Sequence, residues 1–139
     1  MKNNNIKIAI IENDLCRNKV LTGYVNVICA DNIYKDVKFD IKSFTNAKDC
    51  IMQLECDLDI ILIDYYLLII GDTDVLIGED VVAYVRAYCP TCEIVVISSQ
   101  EDDEMLAKLI KEGVTEHIDK RKDVIRRIEH IIRRFFSEA

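Results

Sequence analysis

Hydrophobic and polar positions in this chain switch repeatedly between two periods. Ile6 to Ile11 form a short apolar run that stops at Glu12-Asn13-Asp14. Leu15, Val20, Leu21, Tyr24, Val25 and Ile28 then fall at helical spacing within Leu15 to Ala30. A polar connector, Asp31 to Asp36, leads to a strand over Val37 to Phe44, where Val37, Phe39 and Ile41 alternate with charged residues, as suits a sheet edge. Thr45 is the expected N-cap of a helix reaching about Glu55, with Ala47, Cys50, Ile51 and Leu54 inward. Ile60 to Ile63 are too few for a helix core and rich in β-branched side chains. They predict a strand buried on both faces, ended by Asp64.

The second half repeats the alternation. Tyr65 to Ile77 is long for a strand-to-helix connection, where ~2–6 residues is usual. Gly78-Glu79-Asp80 opens a third helix running to about Tyr88 and stopping at Pro90. Glu93 to Ser99 contain a fourth buried strand, Ile94 to Ile97. Glu101 to Glu112 make a helix with Met105, Leu106, Leu109 and Ile110 on one side, and Gly113 fits a left-handed stop. His117 to Asp119 are a short fifth strand. Asp123 to Phe136 place Val124, Ile125, Ile128, Ile131, Ile132, Phe135 and Phe136 on one stripe and Arg126, Arg127, Glu129, His130, Arg133 and Arg134 on the other face. Five strand–helix units in this order predict an α/β fold, a doubly wound parallel sheet with helices on both sides.

Composition narrows the class. The 139 residues suit one domain over 1–139, without an internal repeat or low-complexity tract. No apolar run approaches the ~20 residues needed to cross a bilayer, and the amino terminus lacks a signal-peptide pattern, so a cytoplasmic protein away from the membrane is expected. A formal charge of −7 argues against nonspecific nucleic-acid binding, although basic residues outnumber acids from Lys120 to Arg134.

Six cysteines at 16, 29, 50, 56, 89 and 92 suggest no disulfide framework. Cys16, Cys29 and Cys50 fall at apolar helical positions, where cysteine is a small hydrophobe. Cys89-Pro90-Thr91-Cys92 is a CxxC, but it follows a helix rather than opening one. It therefore lacks the helix amino terminus that activates redox thiols, and no second ligand pair is spaced for zinc.

Candidate chemistry gathers at the strand ends. Asp64 alone could merely end a strand, Ser98 be a loop hydroxyl and Lys120 a surface lysine. A doubly wound sheet, however, brings Glu12-Asn13-Asp14, Asp64, Ser98 and Lys120 to one rim, where such folds bind ligands. Clustered carboxylates call for a compensating cation, and hard oxygen donors suit magnesium. A nucleophilic carboxylate, a divalent ion and two donors meet the needs of phosphoryl transfer to Asp64.

This order of motifs resembles the receiver domain of two-component response regulators (CheY-like) over essentially the whole chain. The resemblance rests on Ile8-Ala9-Ile10-Ile11-Glu12-Asn13-Asp14, Asp57 to Asp64, Gly78-Glu79, Ile94 to Ser99, and Lys111-Glu112-Gly113-Val114 running to Lys120. It implies a flavodoxin-like sheet of order 2-1-3-4-5 with five helices. Asp64 matches the aspartate that accepts a phosphoryl group from a histidine kinase or phosphotransfer protein. Glu12 and Asn13 match the acidic pair that binds Mg2+ together with Asp64 and the backbone carbonyl of Tyr66. Ser98 and Lys120 match the hydroxyl and ammonium that meet the phosphoryl group, and His117 stands at the switch aromatic.

The resemblance also implies a signalling domain rather than an enzyme. Its switching face, on the fourth and fifth helices, would include Met105, Lys108, His117, Arg126 and Arg127. That face would serve a downstream protein or output domain, or a homodimer. No output domain follows within this chain, which is then either a receiver signalling by contact or part of a longer protein.

Three positions depart from the pattern: Asn13 replaces an acid, Arg121 replaces a cis-proline, and the Asp64–Gly78 connection is long. Asp14 could compensate for Asn13 if the register shifted by one. The departures leave a second reading, a pseudo-receiver acting without phosphorylation as an interaction module. A small flavodoxin-like or thiol-redox enzyme is a third, although no glycine-rich phosphate loop supports it.

Overall fold

The computed structural model describes residues 4–64, 78–98 and 103–137. Five strands, β1 (Asn5–Ile11), β2 (Lys38–Phe44), β3 (Ile60–Asp64), β4 (Glu93–Ser98) and β5 (Glu116–Asp119), form one parallel sheet in the order β2-β1-β3-β4-β5. Around it lie α1 (Leu15–Cys29), α2 (Ala47–Met52), α3 (Gly78–Tyr88), α4 (Asp103–Glu112) and α5 (Val124–Ser137), plus a 3-10 turn at Asn32–Tyr34. The predicted doubly wound order is the one observed.

Two cores, one per sheet face, follow from the strand alternation. Ile61 and Ile63 of β3 join Cys50 of α2, Val81 and Val85 of α3 and Leu109 of α4. Ile60 and Leu62 join Val25 and Ile28 of α1 and Ile128 and Ile131 of α5. Every residue of β3 is buried, so each of its four aliphatic side chains contributes roughly 2 kcal/mol of burial. Asp64 is carried into the interior at the end of that strand. β2, on the edge, has no fully buried residue.

Local chemistry moves some predicted boundaries. The N-cap of α2 is Asn46, not Thr45: its side chain accepts from Asp49 N at 2.8 Å. The helix ends at Met52 rather than near Glu55, because Gln53 N and Leu54 N bond tightly back to Cys50 O and Ile51 O. Glu55 is thereby released to accept from Lys7 and Lys42. Gly113 does stop α4, at φ +120°, and a Cβ there would lie 2.7 Å from Arg86 Nε. Arg86 itself donates to the carbonyls of Cys89, Pro90, Cys92 and Gly113, tying the carboxyl ends of α3 and α4 together.

The apolar stripes are wider than the sheet can cover. Val20 and Tyr24 of α1 are exposed, as are Ile110 of α4 and Ile125 of α5, although the helical period counts them with the inward set. Cys16 is exposed as well, whereas Cys50, Cys89 and Cys92 are buried and Cys29 is half-buried; all six thiols are free. Burial pushes Cys92 up to about 11, and Cys89 Sγ donates to Glu55 O, so the CxxC is an inert packing pair.

Candidate functional site

Glu12, Asp64 and Lys120 meet at the carboxyl rim of the sheet. Lys120 Nζ donates to Asp64 Oδ2 at 2.6 Å and stands 3.9 Å from Glu12 Oε1. Both carboxylates are almost wholly buried, with side chains 3% and 5% exposed, while Lys120 keeps partial contact with solvent. Two buried acids thus share one ammonium. Desolvation and the neighbouring Asp64 push Glu12 up to about 7, against an ordinary 4.5.

The backbone holds this group from several sides. Glu12 N donates to Phe44 O, and Lys120 N donates to Ser98 O, joining the ends of β1 to β2 and of β4 to β5. Asn18 of α1 is buried, and its Nδ2 donates to both Glu12 O and Phe44 O at 3.1 Å. Ser43 Oγ donates in turn to Asn18 Oδ1. Sequence reasoning missed Asn18. A polar residue on the inward arc of an amphipathic helix, just after a strand end, was the available signal.

The other predicted residues are placed unevenly. Ser98 is buried at the end of β4, in register with Asp119. Asn13 is exposed. Asp14 does not replace it: its carboxylate caps α1 by accepting from Arg17 N at 3.0 Å, and its own N–H donates to Glu12 Oε2. His117 is half-buried on β5 opposite Val96, and its Nε2 is buried without a hydrogen-bond partner among the described residues. Burial lowers its pKa. Tyr66, the long 65–77 connection, Ser99 and the Met105 side chain lie outside the described residues. On the expected partner face, Lys108 and Arg126 are exposed, while Arg127 pairs with Glu116 at 2.7 Å.

After Lys120 the chain turns without a cis peptide bond. Arg121 N and Nε donate to Asp119 Oδ1, which holds Asp119 down at about 2, and Asp123 adopts a left-handed φ of 42° before α5. An ion-paired turn stands where the resemblance implies a proline.

Glu12 and Asp64 carry oxygen donors of the kind a hard divalent cation takes. Among the described residues no group of three or more His, Cys, Asp or Glu is arranged around a metal. Magnesium commonly keeps several waters and uses only one or two carboxylates, as many as Glu12 and Asp64 offer here. A cleft of about 300 Å3 adjoins the pair, lined by Val20 and Tyr24 of α1, Val124 of α5, and Glu12, Asp64 and Lys120. Among the described residues no helix is long and apolar enough to cross a membrane.

No protein-family model and no curated protein matches the chain. Solved structures do. The signal receiver domain of a DNA-binding response regulator from Colwellia psychrerythraea superposes with a TM-score of 0.72 at 17% identity, over 95% of this chain and 98% of the other. A response regulator receiver domain protein from Clostridium thermocellum gives 0.72 at 13% identity, over 96% and 95%. The BeF3-activated DrrB receiver domain gives 0.71 at 15% identity, over 95% and 97%. The chain therefore has the fold of response regulator receiver domains.

Proposed function

We propose that this chain is a phosphoryl-accepting signalling domain. A carboxylate oxygen of Asp64 attacks the phosphorus of a phosphohistidine on a kinase or phosphotransfer protein. The P–O bond to Asp64 forms as the P–N bond breaks, and the released imidazole takes up a proton. The observation that carries this reading is the buried Asp64–Lys120 pair at 2.6 Å with a second buried acid, Glu12, beside it.

Lys120 holds Oδ2 of Asp64 before transfer and offers the same ammonium to the incoming phosphoryl oxygens. Glu12 and Asp64 would hold Mg2+, with Asn13 and the Tyr66 carbonyl as the further oxygens the resemblance implies, and the ion would supply neutralisation of phosphoryl charge. The added charge draws the Ser98 hydroxyl, and His117, opposite Val96 two register positions earlier, follows. That changes the face made by α4, β5 and α5, which contacts a downstream protein or output domain. The chemistry is that of an acceptor within the cytoplasm rather than an enzyme with a diffusible substrate.

The test is intact-mass measurement after incubation with acetyl phosphate and Mg2+, beside an Asp64→Asn variant. One phosphoryl adduct on the wild type and none on the variant is the expected result.

One observation favours a pseudo-receiver instead. Asn13 is a neutral ligand at an exposed position, and Asp14 is committed to capping α1. A folded wild type that takes no adduct at saturating Mg2+ would select that reading.

A further inference from the structure

The outer face of α1 is apolar and uncovered. With ~100° per residue, Cys16, Val20, Gly23 and Val27 fall within an arc of roughly 60°. Val20 is 51% and Val27 74% exposed, Cys16 is exposed, and Tyr24 flanks them at 39%. Single exposed apolar residues are ordinary on a soluble protein; a contiguous stripe of them is not.

Gly23 is the second observation. Glycine inside a helix costs about 1 kcal/mol relative to alanine. A Cβ built on Gly23 meets nothing within 4 Å among the described residues, so no contact within this chain requires glycine there. Its missing side chain instead leaves the backbone open to close approach, in the middle of the stripe.

We propose that this face is a self-association surface, on which α1 packs antiparallel against α1 of a second copy about a twofold axis near Gly23. The register is self-complementary. With Gly23 at the crossing, Val20 of one copy meets Val27 of the other, and Tyr24 lies over the second copy's Gly23. A twofold axis perpendicular to both helices brings like flanks together. Arg17 then faces Ala30 of the other copy, one residue from its Asp31 and within the reach of a guanidinium, and both Arg17 and Asp31 are exposed. Within one chain the guanidinium of Arg17 makes no hydrogen bond or ion pair among the described residues. This charge match, repeated twice by symmetry, favours a second copy over an unrelated apolar partner.

A single helix pair buries less than the ~1,200 Å2 of a standard interface, so the association is weak and concentration-dependent. Val20 also lines the cleft beside Asp64, and pairing therefore narrows the approach of a protein donor to that carboxylate. This consequence rests on the phosphoacceptor reading; the association itself does not.

Sedimentation equilibrium from micromolar to millimolar protein tests it, with no phosphodonor present. The wild type is expected to dimerise reversibly. Val27→Glu should weaken the dimer roughly tenfold or more, with an unchanged circular dichroism spectrum because Val27 is exposed. Arg17→Asp should weaken it too, and Asp31→Lys added to Arg17→Asp should restore it. A Gly23→Cys variant, with Cys16 and Cys56 changed to Ser, should cross-link to a covalent dimer on mild oxidation. A wild type that stays monomeric and a Gly23→Cys variant that does not cross-link would overturn the assignment and leave the stripe to another partner. A dimer untouched by Val27→Glu but lost in Arg126→Glu would overturn it by placing the contact on α5.

Discussion

The two ends of the sheet manage charge in opposite ways. At the amino edge, Lys7 Nζ reaches Glu55 at 2.6 Å and Asp57 at 2.8 Å, and Lys42 reaches Glu55 at 2.9 Å. Cations and acids there are partly open to water, and the two lysines hold Glu55 down at about 2. At the carboxyl edge, two acids share one lysine out of water, and Glu12 is pushed up to about 7. The lysine-paired acids of the amino edge are open to solvent screening, while Asp59 beside them accepts from the Lys7 backbone N–H. The carboxyl edge crowds two carboxyl groups together where desolvation makes negative charge expensive. An arrangement that lowers the stability of the free protein is explained if a cation and a phosphoryl group complete it.

Substitutions can break this contrast, and the largest effect belongs to Lys120. Lys120→Met removes the ammonium that Glu12 and Asp64 share, and urea unfolding at pH 8 should show a loss of about 3–5 kcal/mol. Next is Asn18→Ala, which strips the buried Glu12 O of its side-chain donor and leaves Phe44 O with Glu12 N alone. The expected loss is about 2 kcal/mol by the same method, with weaker Mg2+ binding as the Glu12 backbone loosens.

Glu12→Gln should act with the opposite sign. Its folded-state pKa lies above 4.5, so the stability tied to its protonated form is fully present below 4.5 and is lost as pH rises through about 7. The wild type should therefore lose roughly 3 kcal/mol between those limits, the variant little, leaving the variant the more stable protein at pH 8. The smallest effect is at the amino edge. Lys42→Met should barely move the urea midpoint, because exposed ion pairs contribute little. Glu55, held low, gives the reverse pH profile: its contribution is present above 4.5 and fades as pH falls toward 2.

The carboxyl side of this contrast was legible in the sequence; the amino side was not. The run Ile60 to Ile63 with its terminal acid marked the central strand, and the alternation of five units brought Glu12, Asp64, Ser98 and Lys120 to one rim. The helix surfaces were less legible. A 3.6-residue period marks a stripe but not how much of it the sheet covers, so Val20, Tyr24, Ile110 and Ile125 read as inward and are exposed. Asn18 escaped because its place on the inward arc of α1 signals burial but does not say which carbonyls it serves. The N-cap of α2 moved from Thr45 to Asn46 because adjacent residues offered equivalent oxygens and only backbone geometry chose between them.

The central claim is that the carboxyl edge is completed by a divalent cation, and thermal unfolding with added Mg2+ tests it most directly. A ligand bound only by the folded state raises the midpoint. Millimolar Mg2+ should therefore raise the wild-type midpoint more at pH 8, where Glu12 is ionised, than at pH 6, and should leave Asp64→Asn nearly unmoved at both. A wild-type midpoint that ignores Mg2+ at pH 8, or shifts by the same amount in Asp64→Asn, would contradict the account.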